Sequence, residues 1–298
     1  MEISISRTGD QLAYTRNSQD SNIWRIPGPN ALDKNSAPTR LIASTQDDEA
    51  PQFSPDGKKI AFYSARSGNH AIWVCDRDGL NPVELASLDG ANIGSPRWSP
   101  DSRWIAFDGT KSGDSDIYVI SADGGPVRQL TTGKSTNIRP SWSIDGHSIY
   151  FGSNRSGDWQ IWKAPRHGGA ALQLTKKGGT EAFESFDGKL VYYAKLGGIW
   201  KVPVAGGDET QVLDQGRGSF WTLTDGGIYF GVVNSSIGPV IKFYSFATHQ
   251  VAIIKEFSKG TKFPMAAVGL SVSPDGQWIV YSQYDRASSD LMLMENFR

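Results

Sequence analysis

A short recurring segment constrains the fold of this chain more than any other feature. The segment starts with Ser-Pro-Asp-Gly and runs into an apolar stretch, as in Ser54–Ser64. Successive copies start 38 to 50 residues apart, and a repeat of that length is typical of a β-propeller. The other clear copies begin at Ser99, Ser143, Ser185 and Ser273, and weaker copies begin at Ser6 and Leu223.

Each copy combines the chemistry of a tight hairpin with that of a buried strand. Asp56 can bond nearby backbone amides, and Gly57 can take the positive φ that a tight turn needs. The residues that follow, 60–63, are apolar or aromatic on both faces, as expected for a strand covered on both sides. With one strand before the turn and two more after it, each unit predicts a four-stranded antiparallel sheet.

The seven copies predict an all-β fold, a seven-bladed β-propeller in a single domain over residues 1–298. Only 27 of the 28 strands required can be found, because the chain ends after the third strand of the last blade. Either the last blade is three-stranded or the natural chain continues upstream of Met1. The predicted blades span residues 3–44, 49–86, 92–132, 137–175, 181–214, 218–257 and 267–298.

Composition excludes some classes of partner. The formal net charge of −1 gives no electrostatic basis for binding nucleic acid. No apolar stretch is long enough to cross a membrane, so we expect no membrane insertion. The one cysteine, Cys75, excludes an internal disulfide and leaves the compartment open between periplasm and cytoplasm. We expect a monomer.

The repeat is similar to the TolB-type, or WD-like, propeller repeat. The shared features are Ser-Pro-Asp-Gly with Ile-Ala-Phe, then Ser-Gly-x-x-x-Ile-Trp, then Asp-Gly-Gly and Gln-Leu-Thr. Predicted blades 2–5 and the closing segment Ser289–Arg298 most resemble the C-terminal propellers of bacterial CadC-like winged-helix regulators. This resemblance implies a sensory or scaffold module of a larger bacterial protein. DNA binding is not expected of this chain alone, since no winged helix precedes Ile3.

Polar residues precede the inner strands, where loops converge on the axis of a propeller. Carboxylate and amide oxygens in such a place are ligands suited to Ca²⁺ or another divalent cation. In residue type they resemble the calcium site of gluconolactonase and phosphotriesterase propellers, where the cation activates hydrolysis. The alternative is an ordinary polar lining bridged by water. The candidate metal ligands are Glu49, Asn92, Asn137 and Glu181.

Three charged residues on the inner strands form a candidate ligand-binding set. Glu184 occupies a position that neighbouring blades fill with Phe or Trp, so its carboxylate needs a partner or turns into the channel. Arg97 and Arg139 could pair with Glu184 or with Glu181. The alternative is a purely structural salt bridge.

No common catalytic signature occurs in the sequence, and no catalytic residue is assigned. We therefore expect a non-enzymatic module that binds a protein or a small-molecule ligand. The alternative function is a metal-dependent hydrolase, acting on lactones or phosphoesters with a divalent cation at the channel mouth.

Overall fold

The recurring Ser and Asp close the turn between the first two strands of a unit. In a computed structural model of the chain, the Ser54 hydroxyl donates to the Asp56 carboxylate at 2.6 Å. The same oxygen accepts from the backbone N–H of Lys59 at 3.0 Å, and Gly57 has a φ of 70°. The predicted turn chemistry is therefore confirmed. Equivalent paired bonds form at Ser99, Ser143, Ser185 and Ser273.

The structure describes residues 3–5, 11–111, 113–216, 219–233, 238–264 and 269–295. All regular elements in these ranges are β-strands, and none of the described residues forms a helix able to span a bilayer. Ser6 and residues 265–268, at the starts of the first and last predicted repeats, lie outside the described residues. The first three strands are β1 (Ile3–Ile5), β2 (Gln11–Pro27) and β3 (Thr39–Ile42).

Five sheets each consist of four consecutive antiparallel strands. Sheet 1 contains β4 (Asp48–Phe53), β5 (Lys59–Ser64), β6 (Ala71–Asp76) and β7 (Val83–Ser87). Sheet 2 contains β8 (Asn92–Trp98), β9 (Trp104–Thr110), β10 (Ser115–Ser121) and β11 (Arg128–Gln129). Sheet 3 contains β12 (Asn137–Trp142), β13 (Ser148–Ser156), β14 (Asp158–Pro165) and β15 (Leu172–Gln173). Sheet 4 contains β16 (Glu181–Glu184), β17 (Leu190–Lys195), β18 (Gly198–Pro203) and β19 (Thr210–Leu213). Sheet 5 contains β20 (Trp221–Thr224), β21 (Gly227–Val232), β22 (Val240–Ser245) and β23 (Val251–Glu256).

A sixth sheet, the closing sheet, joins distant parts of the chain. Its innermost strand is β24 (Leu270–Val272), followed outward by β25 (Trp278–Glu295), β2 and β3. Residues 278–284 of β25 pair with residues 21–27 of β2. This blade therefore takes its two inner strands from the last repeat and its two outer strands from the first.

Beyond this blade, β2 and β25 continue as a three-stranded extension. Residues 11–20 of β2 pair with residues 286–295 of β25 on one side and with β1 on the other. The sequence predicts a hairpin within each of these two repeats. Both segments instead run on as single strands, because neither 15–20 nor 285–290 contains the glycine found in the corresponding loops of sheets 1 to 4.

The predicted fold class is confirmed: the described residues form an all-β propeller of four-stranded antiparallel blades. The seven repeats are distributed over six sheets, since the first and the last share the closing sheet instead of forming one sheet each. Apolar clusters show that the closing sheet lies directly between sheets 5 and 1: Ile279 packs with Tyr229, and Val280 packs with Ile60.

The inner strands are tied to one another around the ring axis. The Trp98 indole N–H donates to the Gln52 carbonyl at 3.2 Å, and the Trp142 indole N–H donates to the Arg97 carbonyl at 3.0 Å. Both indoles are buried. These bonds fix β8 against β4 and β12 against β8, which holds the side chains on these strands in place at the ring centre.

We expect Gly28→Ala to weaken ring closure. The Gly28 N–H donates to the Gln277 carbonyl at 2.8 Å, and a Cβ at residue 28 would lie 2.3 Å from the Gly276 carbonyl oxygen. Because backbone atoms cannot move aside easily, the variant should lose about 1–3 kcal/mol in urea denaturation. Gly260→Ala is the matched control, since its Cβ meets nothing within 4 Å. Equal midpoints for the two variants would show that closure tolerates the methyl group.

Candidate functional site

Three neighbouring inner strands share an irregularity. β4, β8 and β12 each contain a bulge against the second strand of their sheet. Its extra residue has a positive φ: 57° at Ala50, 50° at Ser95 and 54° at Arg139. Each of these residues precedes a proline. A bulge bends the strand and re-aims its side chains, and strained non-glycine residues of this kind often cluster at functional sites.

A cavity of about 500 Å³ lies beside these bulges. It is at the end of the ring where the inner strands begin, which we call the upper end. Residues of β4, β8 and β12 form its wall, together with residues from the second strands of sheets 1 and 2, the loop before β6 and the start of β10. We call it the upper cavity; its polar lining includes Glu49, Tyr63, His70, Asn92, Asp108, Thr110 and Arg139.

Glu49 is a half-buried carboxylate on the cavity wall. Its Oε1 accepts from the Ser21 hydroxyl at 2.6 Å. Burial, the largest effect, raises the pKa of Glu49 from 4.5 to about 7, while the bond from Ser21 opposes this and the charges of Asp47 and Asp48 add to it. Glu49 therefore changes between its protonated and ionised forms near neutral pH.

Asp108 and Arg139 also line the cavity and bond each other. The backbone N–H of Arg139 donates to Asp108 Oδ2 at 2.6 Å, a bond made available by the bulge at Arg139. Burial raises the pKa of Asp108, and this bond is the first effect that opposes it. The Arg139 guanidinium donates to the Thr180 hydroxyl at 3.4 Å. Of the predicted ligand-binding set, Arg139 is the residue that lines this cavity.

Arg97 and Glu181 form a buried salt bridge near the ring centre. Arg97 Nη2 donates to Glu181 Oε1 at 2.8 Å, and both side chains are at most 5% exposed. The Trp221 indole N–H donates to Glu181 Oε2 at 2.9 Å, so each carboxylate oxygen has a partner. Burial raises the pKa of Glu181, and Arg97 is the strongest opposing influence. This arrangement is the structural salt bridge considered as the alternative from the sequence.

The four predicted metal ligands are not brought together around one point. Glu49 and Asn92 line the upper cavity, whereas Glu181 bonds Arg97. The Asn137 amide is occupied elsewhere: its oxygen accepts from Arg155 at 2.7 Å, and its NH₂ donates to the Ser135 carbonyl at 2.9 Å. In the described part of the chain, no three His, Cys, Asp or Glu residues are arranged to hold a metal ion.

Glu184 faces the other end of the ring, where it is half-buried. Its Oε2 accepts from the Tyr150 hydroxyl at 2.8 Å, so its partner is neither Arg97 nor Arg139. Glu184 and Arg97 line a second cavity with Trp98 and Trp142. The predicted set therefore divides between two ends of the ring, with Arg139 at the upper end.

Sequence reasoning missed three residues of the upper cavity. Asp108 lies on β9 at the repeat position that Tyr63 takes in sheet 1 and Gly152 takes in sheet 3. His70 bonds the Tyr63 hydroxyl through Nδ1 at 2.8 Å. A usable signal was the proline after each bulge residue, which marks the inner strands that bend around the cavity.

Comparison with known proteins supports the same fold. Residues 83–219 match the family model of the TolB beta propeller domain. A TolB structure from Acinetobacter baumannii is 18% identical with a TM-score of 0.60, covering 91% of this chain and 65% of that chain. A nidogen/laminin complex structure is 13% identical with a TM-score of 0.65, covering 83% of this chain and 93% of that one.

A puromycin-hydrolysing peptidase from Mycobacterium tuberculosis is also similar, at 16% identity and a TM-score of 0.58. The match covers 86% of this chain and 44% of that one. At these identities the similarity shows the fold alone. The chain is thus a β-propeller, of which residues 83–219 match the TolB beta propeller domain, and it spans less than two thirds of the TolB and peptidase chains it matches. The resemblance to CadC-like regulators stays a prediction.

We expect Arg97→Met to destabilise the protein by about 3–5 kcal/mol, because it leaves the Glu181 carboxylate buried without its cation. Adding Glu181→Gln should recover a large part of that loss, since Gln can still accept from Trp221 and carries no charge. Urea denaturation of both single variants and the double variant at pH 7 measures the coupling. Additive losses would show that the two charges do not interact.

Glu49 should make stability depend on pH. Its pKa is higher in the folded protein than in the unfolded chain, so the folded state holds more protons between about pH 4.5 and 7. Stability from this residue therefore falls as pH rises through that window. Glu49→Gln should be more stable than the parent at pH 8, and the difference should shrink towards pH 5. A difference that is constant from pH 5 to pH 8 would contradict the raised pKa.

Proposed function

We propose that this TolB-like propeller is a non-enzymatic module that binds a small-molecule ligand or part of a protein, and that the upper cavity is its binding site. The single observation behind the proposal is the cavity itself, of about 500 Å³ with charged and hydrogen-bonding groups on its wall. Ligand sites in proteins are mostly concave, with volumes of about 300–1,000 Å³ and a few placed polar groups.

The architecture favours this site over the rest of the surface. Blades of a propeller bury their faces against one another, which leaves loops and the ends of the ring for binding. The wall of the upper cavity is built from three inner strands that are hydrogen-bonded into their sheets. Groups held on strands keep their positions better than groups on loops, so less conformational entropy is lost when a ligand binds here.

The module belongs, in this proposal, to a larger bacterial protein. One support is the match of residues 83–219 to the TolB propeller domain. Another is that this chain covers only 65% of the TolB chain and 44% of the peptidase chain to which it is similar. The similarity of predicted blades 2–5 to CadC-like regulators suggests a sensory role, in which ligand binding to the propeller is relayed to another domain. Purifying the natural full-length protein and defining its domains would test that role.

Filling the cavity should abolish ligand binding. Gly94 lines the cavity, its φ is not in the left-handed region, and its Cβ would lie 3.6 Å from Asp108 Oδ1. Gly94→Phe should therefore place a ring in the cavity with little strain. In a thermal-shift screen of small charged and neutral compounds and short peptides, we expect compounds that raise the melting temperature of the parent and leave that of Gly94→Phe unchanged.

Gly260→Phe is the control, because residue 260 is exposed and a Cβ there meets nothing within 4 Å. It should respond to the same compounds as the parent. If every stabilising compound also stabilises Gly94→Phe, binding occurs elsewhere and the proposed site is wrong.

A further inference from the structure

The buried carboxylates of this protein have different kinds of partner. Asp48 is fully buried and pairs with Arg66 at 2.7 Å, and Glu181 is fully buried and pairs with Arg97 at 2.8 Å. An arginine accompanies each of these two carboxylates, whereas the buried Glu209 accepts from the Tyr193 hydroxyl and from the backbone N–H groups of Lys176 and Lys177. This is the usual requirement for a charge removed from water.

The carboxylates on the upper cavity differ from these two. Among the described residues, neither Glu49 nor Asp108 has a side-chain nitrogen of lysine, arginine or histidine within 4.0 Å. Glu49 accepts from the Ser21 hydroxyl, and Asp108 accepts from the Arg139 backbone. The charge of Arg139 lowers the pKa of Asp108 from a longer distance. No positively charged group contributes to the pKa shift of Glu49.

An electron-rich aromatic side chain lies next to Glu49. Tyr63 is its direct cross-strand partner and also lines the cavity, with the His70 ring centred 5.2 Å from the Tyr63 ring. The charges of Glu49, Asp47 and Asp48 add to burial in raising the pKa of Tyr63. Cations bind favourably against aromatic faces and beside carboxylates, and the field at this wall is negative.

We propose that the upper cavity binds a cationic group, an ammonium or a guanidinium, with Glu49 as its counter-ion and Tyr63 beside it. This inference rests on the proposed function and names the chemistry of its ligand. The cavity has room for an alkylamine or a basic side chain. The cation could belong to a free amine or to a lysine or arginine of a partner protein.

Binding of a cation should release a proton near neutral pH. Glu49 lies near Asp48 on its own strand and Asp47 just before it, and near Ser21 on β2, Tyr63 on β5 and Tyr284 on β25. None of these is a cation, and Arg66 is committed to Asp48. Arg139 and His70 also line the cavity, but neither is among the groups that shift the pKa of Glu49. A bound cation therefore favours the ionised form of Glu49, and part of the population must lose its proton at pH 6.5.

Isothermal titration with butylguanidinium and with butylurea tests the proposal. The two probes have nearly the same shape, and only the first is charged. We expect the parent to bind butylguanidinium at pH 8 at least tenfold more tightly than butylurea. At pH 6.5 its binding enthalpy should vary with the ionisation enthalpy of the buffer, which reports the released proton.

Glu49→Gln should lose at least tenfold in affinity for butylguanidinium and should lose the buffer dependence. Glu256→Gln, an exposed glutamate on the outer strand β23, is the matched control and should bind like the parent. Equal affinity of the parent and Glu49→Gln, or equal affinity for the two probes, would overturn the proposal. The proposal would also be overturned if every compound that stabilises the parent but not Gly94→Phe in the thermal-shift screen were neutral or anionic. That result would still support the upper cavity as the binding site.

A comparison of butylguanidinium with acetyl-Gly-Arg-Gly-amide separates the two sources of the cation. Tighter binding of the peptide supports a basic side chain of a partner protein. Tighter binding of butylguanidinium supports a free ligand. Failure of both in the parent contradicts the inference, whatever the screen finds.

Discussion

Closure of the ring by strands from both ends of the chain is the constraint on which the other parts of this structure depend. Residues 21–27 pair with residues 278–284, so one blade is complete only when the whole chain has returned to its start. The entropy of closing such a long loop must be recovered by contacts of this sheet, whose faces bury Ile279 against sheet 5 and Val280 against sheet 1. Every inner strand then has a neighbour on each side, and the ring centre becomes a fixed environment.

That fixed environment explains why charged residues can be held near the axis. Converging inner strands bring Arg97 and Glu181 together across 84 residues of sequence. In a loose or open ring, water would enter and the pair would contribute little, whereas here the two groups satisfy each other in a dry position. The same convergence leaves Glu49 and Asp108 facing a cavity, where solvent or a ligand can complete their surroundings.

The sequence was most informative where structure is local. Turn chemistry at Ser54, Asp56 and Gly57, and strands apolar on both faces, depend on residues a few positions apart, so they could be predicted from one repeat. The sharing of one sheet by the first and last repeats depends on pairing between the two ends of the chain. Its signal in the sequence is that these two repeats lack the loop glycine that the other repeats have. The partners of the candidate site residues were not visible in one repeat: the Asn137 oxygen accepts from Arg155 on the next strand, and Glu181 pairs with Arg97, 84 residues away.

The upper cavity arises from a departure from the repeat. Only β4, β8 and β12, among the described inner strands, have the bulge, and these three strands enclose the cavity. β16 pairs with β17 without a shift in register, and it directs Glu181 to a salt bridge instead of to the cavity wall. A ring of identical blades would place equivalent groups all around its axis. Here one extra residue in three neighbouring strands moves the polar groups to one side, so a ligand at the upper end would contact sheets 1 to 3 and be oriented by them.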